Sequence, residues 1–343
     1  MRPRVLMVGS APEERGGIGT VTTLLLRHGS RHADIRMVVT HREGPAAMRL
    51  RLWLSGTARV AAALVRGQVD VVHAHVSERG SVVRKGLLVL LAKAFRVPVV
   101  LHCHGAEFAD WYRGLPGAVR RGIAWTFRRA DLLVVLGSSW RNRYVELLGV
   151  LGDRVVAFGN PIELPASVAK PAGLKVVFLG RFGDRKGSAA VLRAVAGLPV
   201  ELVMAGDGEV AATRALAREL GVPAEIRDWL SFEERDELLA SAHVFVLPSR
   251  DEGLPMALLE AMGHGLVPVV SPVGSIGDVV QDGENGLLVP PADAAAIRQA
   301  LASLLADDGM RARLAKAARS TVEPFAIESY LDELAARWRS LTG

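Results

Sequence analysis

The chain of 343 residues has one cysteine, few aromatic residues and no apolar run that approaches the roughly 20 residues of a membrane-spanning helix. Cys103 has no partner for an internal disulfide, which fits a reducing compartment. Aromatic residues make up 5% of the chain and hydrophobic residues 50%, so the core consists mainly of Ala, Val and Leu. Because the chain opens with the strand-like Arg4–Val8 and not with a signal peptide, we expect a cytoplasmic protein.

Charge is distributed unevenly along the chain. Residues 1–164 contain 24 Lys and Arg against 12 Asp and Glu, a net charge of +12, whereas residues 165–343 carry a net charge of −6. This asymmetry indicates that the first half meets an anionic partner, either nucleic acid or a membrane surface. The low aromatic content and the lack of a recognisable nucleic-acid-binding module favour the membrane.

Two segments of the first half mix Trp or Tyr with arginine, as helices at a membrane interface do. They are Arg49–Leu54 and Trp111–Arg129. An equally open alternative is a helix that packs on its own domain with its arginines in water. We expect peripheral association with the anionic inner face of the cell membrane and no binding of nucleic acid.

Strand-like and helix-like segments alternate along the chain, which is typical of an α/β fold with doubly wound parallel sheets. We expect two Rossmann-like domains that face each other across a cleft, with ligands at the carboxyl ends of the strands. The predicted divisions are 1–160 for the N-terminal domain, 161–173 for a linker rich in proline and alanine, 174–323 for the C-terminal domain and 324–343 for a last helix. The predicted strands are 4–8, 35–39, 69–73, 97–102, 131–135 and 154–157, then 175–179, 200–205, 224–227, 243–247, 267–270 and 287–289.

Two glycine-containing loops follow predicted strands and lead into helices. In the first, Gly16 and Gly17 let the backbone approach a ligand, and the helix start offers amides to a phosphate. The glycines lack the spacing of a dinucleotide fingerprint, which makes an NAD-dependent dehydrogenase the weakest reading. In the second, Arg181 offers a planar fork and Lys186 a compact charge, which together can neutralise a diphosphate without a metal. An ordinary strand-to-helix turn is the alternative for the first loop, and solvated surface cations for the second.

His102 and His104 share one face of a predicted strand that ends at Gly105. The sequence offers too few further ligands nearby for zinc, so we expect no metal site. We interpret His102 as a core residue. His104, at the end of the strand, is the better candidate for a hydrogen bond to a sugar hydroxyl or for proton transfer.

One segment of the second half carries two carboxylates in a pattern suited to a nucleotide. Glu252 lies on a loop after a predicted strand, and Glu260 lies five residues beyond Pro255, a favoured first residue of a helix. Glu260 is therefore roughly 7 Å along the helix axis. The amides of Gly253 and Leu254 at the helix start favour an anion. The alternative is a loop acid followed by a helix glutamate that faces solvent.

Together these motifs resemble the retaining GT-B glycosyltransferases of family 4, over nearly the whole chain. The motifs that carry the resemblance are Gly16-Gly17-Ile18-Gly19, His104-Gly105, Gly180-Arg181, Lys186-Gly187, Ala205-Gly206-Asp207-Gly208 and the pair Glu252 and Glu260. The spacing of the two glutamates is the most specific of these features. One departure is Phe158-Gly159-Asn160-Pro161, where relatives often carry an Asn-Gly pair.

The resemblance implies transfer of a sugar from a nucleotide-diphosphate sugar to an acceptor hydroxyl, with retention of the anomeric configuration and without a cofactor or metal. It implies that Glu260 grips the ribose, that Glu252 lies beside the transferred sugar and that the last helix crosses back to the first domain. The implied catalytic residues are His104, Arg181, Lys186 and Glu252, and the implied donor-binding residues are Gly16, Gly17, Arg181, Lys186, Gly253, Leu254 and Glu260.

The acceptor is expected on the N-terminal domain. A segment from His73 to Lys85 resembles a loop of enzymes that extend lipid-diphosphate-linked saccharides, in which Arg79, Arg84 and Lys85 would meet the acceptor's phosphates. The expected function is therefore surface or exopolysaccharide assembly at the inner membrane face. Open alternatives are a transferase with a small soluble acceptor, a nucleotide-sugar epimerase, a phosphorylase and an inactive nucleotide-sugar binder.

Overall fold

The computed structural model describes residues 2–166 and 170–342, so the predicted linker lies partly outside the described residues. The chain forms two compact units. The first comprises Met1–Pro161 and Ile327–Gly343, and the second comprises Ile162–Ala326. Each unit contains a six-stranded parallel sheet with helices, which is the predicted α/β class.

The sheet of the first unit has central strands whose interior positions are buried and edge strands that are partly exposed. The strands are β1 (Arg4–Ser10), β2 (Asp34–His41), β3 (Val71–Val76), β4 (Val99–Cys103), β5 (Leu132–Val135) and β6 (Val155–Ala157). They are parallel and lie in the order β2-β1-β3-β4-β5-β6. The helices between them are α1 (Gly17–His28), α2 (Ala46–Val65), α3 (Gly80–Ala94), α4 (Phe108–Arg113), α5 (Gly117–Phe127) and α6 (Ser138–Leu148). Continuous apolar strands of this kind occur in parallel sheets covered on both faces.

The second unit repeats this plan with another strand order. Its strands are β7 (Lys175–Leu179), β8 (Glu201–Ala205), β9 (Ala224–Arg227), β10 (Val244–Leu247), β11 (Val267–Val270) and β12 (Leu287–Leu288), in the order β12-β11-β10-β7-β8-β9. The helices are α7 (Ser188–Val195), α8 (Val210–Glu219), α9 (Phe232–Ser241), α10 (Met256–Gly263), α11 (Ile276–Val279), α12 (Ala294–Ala306) and α13 (Asp308–Val322). The order reverses between β7 and β10, as it does at the switch point of a doubly wound fold.

All twelve predicted strands are present, with ends that differ by at most three residues. Three helices, α4, α11 and α13, were not predicted. The sequence contains only a few features that indicate the helix α13. Its N-terminus is capped by Asp307, which accepts a hydrogen bond from Met310 N at 2.8 Å. Its buried stripe consists only of Leu314, Ala318 and Val322, spaced four residues apart.

The last helix, α14 (Ile327–Thr342), belongs to the first unit. Its buried side chains recur every three or four residues, as an amphipathic helix requires. Trp338 is fully buried, and its indole N–H donates to His73 Nδ1 of β3 at 3.2 Å. Tyr330 packs on Phe158, with ring centroids 4.3 Å apart. The apolar face of α14 is therefore part of the core of the first unit.

We expect Trp338→Phe to destabilise the first unit by about 1–3 kcal/mol, because it leaves the buried Nδ1 of His73 without its donor. Differential scanning calorimetry measures the change. Trp125→Phe is the control, since Trp125 is 44% exposed, and it is expected to change stability by less than about 0.5 kcal/mol. Equal effects of the two substitutions would contradict a structural role for the hydrogen bond.

Candidate functional site

The loops after β7 and β10 meet at the switch point of the second sheet, where open α/β folds bind ligands. The first loop carries Arg181 and Lys186, and the second carries Glu252. The two loops are joined by a backbone hydrogen bond from Arg250 N to Arg185 O at 2.8 Å. The structure thus brings together residues that the sequence separates by about 70 positions.

Lys186 and Glu252 form a buried ion pair. Their side chains are only 14% and 7% exposed, and Lys186 Nζ contacts Glu252 Oε1. The Ser249 hydroxyl donates to the same carboxylate oxygen at 2.7 Å. Glu252 is therefore not a solvated loop acid. Its negative charge compensates a cation that is shielded from water.

Two glycines hold the backbone of these loops in close contact. A Cβ on Gly274 would lie 2.0 Å from Glu252 O, and its φ of +60° is in the region that favours glycine. A Cβ on Gly206 would lie 1.9 Å from Gly180 O. Larger residues at either position would displace the loop that carries Glu252 or the loop that carries Arg181.

Arg181 lies near the other acid of the site, Asp207, which follows β8. Arg181 Nε and Nη2 donate to the two oxygens of Asp207 at 3.1 and 3.2 Å. Phe182 N donates to Asp207 O at 2.7 Å, and the Phe182 ring stacks on Phe178. The Arg181 side chain is 61% exposed, so this guanidinium is open to solvent whereas Lys186 is not.

Glu260 of α10 is paired with an arginine that sequence reasoning missed. Arg235 of α9 contacts Glu260 Oε1 at 2.8 Å, and the Glu260 side chain is 11% exposed. The second oxygen, Oε2, is buried and has no hydrogen-bond partner among the described residues. Burial raises the pKa of Glu260, and the charge of Arg235 opposes that rise. The alternative of a helix glutamate that faces solvent is thus excluded for Glu260.

The start of α10 differs slightly from the prediction. Pro255 has an extended backbone and caps the helix, which begins at Met256. Gly253 and Leu254 lie in the buried approach to the helix, and Gly253 O accepts a hydrogen bond from Ser275 N at 2.8 Å. Their assignment to an anion stays a prediction.

In the first unit, the glycine-rich loop leads directly into α1. Gly17 is the first helical residue, and Gly16 is the N-terminal cap with φ of +118°, a value that favours glycine. A Cβ on Gly19 would lie 2.1 Å from Glu14 O, so the helix start and the preceding loop pack without space for a side chain. Close packing explains Gly19 and the positive φ explains Gly16 without a ligand, and phosphate binding there stays a prediction.

Four histidines and one tryptophan form a ladder across the first unit. In the parallel pairing of β3 with β4, His75 lies opposite His102. His75 Nδ1 lies 2.9 Å from His104 Nε2, and His73 Nε2 lies 3.3 Å from His102 Nδ1. Burial lowers the pKa of His73 and of His104 to about 3. Trp338 donates to the ladder at His73, so the candidate His104 is an uncharged ring at one end of a buried array.

The expectation that no further ligands lie near His102 was wrong, because β3 supplies two histidines that are distant in sequence. Ligand atoms of His73, His75 and His102 lie within 4.8 Å of one another. The hydrogen bonds nevertheless disfavour a metal. An indole nitrogen only donates, so His73 carries its proton on Nε2 and donates to His102 Nδ1. Neutral His102 is then protonated on Nε2, and neither ring has a free lone pair for a metal.

The three residues predicted to contact the acceptor, Arg79, Arg84 and Lys85, do not all line the same cavity. Arg84 and Lys85 line a cavity of the first unit. Arg79 is 70% exposed, pairs with Glu107 at 2.9 Å and does not line that cavity. Its φ of +57°, at the residue before α3, directs the chain into the helix. The structure therefore separates Arg79 from the other two.

Comparisons with known proteins agree with this architecture. A glycosyl transferase 4-like domain matches residues 3–161, and the model of glycosyl transferases group 1 matches residues 163–321. The lipopolysaccharide core biosynthesis glycosyltransferase LpsE of Rhizobium meliloti is 38% identical over 222 residues, which are 60% of this chain and 63% of LpsE, less than two thirds of that relative. Glycogen synthase of Mycobacterium tuberculosis is 27% identical over 335 residues, 90% of this chain and 77% of the synthase.

Among solved structures, Anabaena HepE in complex with UDP-glucose has a TM-score of 0.77 at 16% identity, covering 99% of this chain and 100% of HepE. This likeness concerns the fold. Two parallel α/β units, each with a switch point, define the GT-B class of glycosyltransferase folds. The chain belongs to the group 1 glycosyltransferases.

We expect Glu252→Leu to destabilise the ligand-free second unit by about 3–5 kcal/mol, because it leaves the buried Lys186 ammonium uncompensated. The double variant Lys186→Met with Glu252→Leu removes both charges and is expected to recover most of the loss. Urea unfolding followed by circular dichroism measures both. A double variant no more stable than the single one would contradict a compensating ion pair.

Proposed function

We propose that this chain is a retaining, metal-independent glycosyltransferase that moves a sugar from a nucleotide-diphosphate sugar to a hydroxyl of a saccharide acceptor. The observation that carries the proposal is the pair of cations, Arg181 and Lys186, on the loop at the switch point of the second unit. The family membership and the UDP-glucose complex of HepE support it.

Both cations of the ligand-free site are held by carboxylates, and a diphosphate is expected to compete with those carboxylates. The guanidinium of Arg181 offers a fork of donors that fits phosphate oxygens, and Lys186 supplies a concentrated charge. As the sugar leaves, negative charge grows on the departing phosphate, and fixed cations beside it lower the barrier. Transfer of Lys186 from Glu252 to the phosphate would release the Glu252 carboxylate toward the transferred sugar.

We assign the remaining contacts with the nucleotide-sugar to side chains that can form further hydrogen bonds. Glu260 keeps one carboxylate oxygen, Oε2, free to accept from ribose hydroxyls, while Arg235 holds the other. His104 has a pKa lowered to about 3 by burial, so it hydrogen-bonds as a neutral ring and does not deliver a proton as an imidazolium.

The proposed reaction needs no protein base. The bond between the anomeric carbon and the phosphate oxygen breaks, and the acceptor oxygen bonds to the same face of the sugar. The acceptor proton passes to the leaving phosphate, whose charge Arg181 and Lys186 balance. Retention follows from this same-face attack.

We further propose a lipid-linked saccharide acceptor, met by the first unit at the inner face of the membrane. The excess of basic residues in residues 1–164 and the name of the relative LpsE support this. On α2, Leu50 and Leu54 are each 54% exposed. The guanidinium of Arg129, two residues beyond the end of α5, lies 3.3 Å from the ring centre of the exposed Trp125 of that helix. Within the described ranges, no helix is long and apolar enough to cross a bilayer.

Donor turnover tests the main proposal. In a thermal-shift panel of UDP-, GDP-, ADP- and dTDP-sugars, at least one is expected to raise the melting temperature by binding the folded state. With that donor, Lys186→Met is expected to lower kcat by about 10²–10³-fold, whereas Lys316→Met, at an exposed position of α13, leaves it unchanged. NMR of the product is expected to show the anomeric configuration of the donor, with turnover unaffected by EDTA. An inverted product, or a modified nucleotide-sugar released without acceptor, would refute the assignment.

Vesicle co-sedimentation tests the membrane proposal. The chain is expected to sediment with phosphatidylglycerol vesicles, less so at high salt, and not with phosphatidylcholine vesicles. Leu50→Gln with Leu54→Gln weakens this binding, while Leu151→Gln, at a position 62% exposed outside these helices, is the control. Equal partitioning into both vesicle types, or none into either, removes the proposal.

A further inference from the structure

A cavity of about 280 Å³ lies in the first unit, where the order of its sheet reverses between β1 and β3. The carboxyl ends of β1, β2 and β3 and the first turns of α3 form its walls, and α1 and α2 contribute one residue each. The residues that matter for its chemistry are Ser10, His41, Arg49, His75, Arg84 and Lys85. Switch points of open α/β sheets are the usual places for ligands.

The cavity has an excess of positive charge. Arg49, Arg84 and Lys85 line it, and Glu78 is the one acid among its lining residues. In the described part of the chain, none of the ion pairs of the first unit involves any of these three cations. The Nε of Arg84 is buried without a hydrogen-bond partner.

Lys85 is the least expected of these cations. It is 2% exposed, and among the described residues its ammonium donates to the Thr40 hydroxyl alone, at 2.6 Å. A charge shut away from water without a counter-charge is unfavourable. Burial, with the neighbouring Arg84, lowers the pKa of Lys85 to about 7. Burial and Arg49 lower the pKa of Arg84 as well. The cations destabilise one another, and an anion between them would relieve this repulsion.

We propose that this cavity binds a phosphate-containing group of the acceptor that carries two negative charges, between Arg49, Arg84 and Lys85. That the bound group belongs to the acceptor rests on the proposed function, whereas the binding of an anion rests on the cavity alone. A terminal phosphate monoester and the diphosphate of a lipid-linked saccharide share this charge. Because small-molecule sites usually occupy about 300–1,000 Å³, the cavity holds the phosphate and its nearest atoms and leaves the rest of the acceptor outside.

Binding of such an anion is linked to protonation of Lys85. The groups that face Lys85 are His41 from β2, Arg49 from α2, His75 from β3 and Arg84 from its own helix, with Glu78 from the loop before α3. Burial lowers the pKa of both histidines, so neither is charged at about pH 8. Lys85 is then largely neutral, and an anion that raises its pKa draws in about one proton.

Isothermal titration calorimetry of the intact chain tests this inference. Methyl phosphate and P1,P2-dimethyl diphosphate are titrated at about pH 8 in two buffers with different ionisation enthalpies. At least one probe is expected to bind with uptake of about one proton. Tighter binding of methyl phosphate indicates a sugar phosphate acceptor, and tighter binding of the diphosphate indicates a lipid-linked one. Either result supports the site.

Four variants locate the binding. Lys85→Met is expected to weaken it about tenfold or more and to abolish proton uptake. Arg84→Gln is expected to weaken it and to keep the uptake. Arg51→Gln, at an exposed position of α2 outside the cavity, is expected to bind both probes as the unaltered chain does. Lys186→Met, in the second unit, is expected to keep the binding that is accompanied by proton uptake. Because methionine replaces a buried charge, Lys85→Met is expected to fold, which circular dichroism verifies.

The inference is overturned if neither probe binds, if Lys85→Met binds both unchanged, or if binding is lost in Lys186→Met. Slow hydrolysis of the nucleotide-diphosphate sugar by water is measured on the same preparations. It distinguishes failure of the cavity site from failure of the proposed function. Hydrolysis without phosphate binding removes only the cavity site. Phosphate binding without any donor binding or hydrolysis removes the transferase proposal and leaves the anion site in place.

Discussion

The buried contact between Lys186 and Glu252 is the interaction on which the account of the second unit depends. It joins the loop after β7 to the loop after β10, and Ser249 fixes the carboxylate by a further hydrogen bond. A buried ion pair of this kind contributes little to net stability, because desolvation of both charges offsets their attraction. The presence of this pair is explained if the Lys186 ammonium also binds a second partner. A diphosphate that takes over the ammonium would also release the carboxylate toward the sugar.

The buried polar groups of the first unit lie in two different environments. The ladder of histidines from Trp338 to His104 is neutral, and the hydrogen bond from Trp338 sets which ring nitrogen of His73 and of His102 carries the proton. On the same sheet, the cavity around Lys85, which His75 also lines, holds three cations and one acid, Glu78. The ladder therefore behaves as part of the core, whereas the cavity has the unbalanced charge of a binding site.

The fold was largely readable from the sequence, because apolar runs of four to six residues alternate with helical periodicity. The alternation predicted every strand, and it failed at α13, whose buried stripe is narrow. The sequence predicted many of the residues of the site but not which residues they contact. Arg235 carries no local signal, and Asp207 and His73 lie in motifs that do not show their partners, since each of the three acquires its partner across loops or strands. Lys85 was predicted, with Arg84, to contact the acceptor's phosphates, and only the packing of α3 on the sheet shows that it is buried.

The most direct measurement is a crystal structure of the chain with the bound nucleotide-diphosphate sugar that gives the largest thermal shift. The account predicts Lys186 Nζ and the Arg181 guanidinium at hydrogen-bond distance, about 2.7–3.2 Å, from diphosphate oxygens, with the ribose on Glu260 Oε2. It also predicts that Lys186 has left Glu252. A diphosphate bound elsewhere, with Lys186 still paired to Glu252 and Arg181 to Asp207, would contradict it.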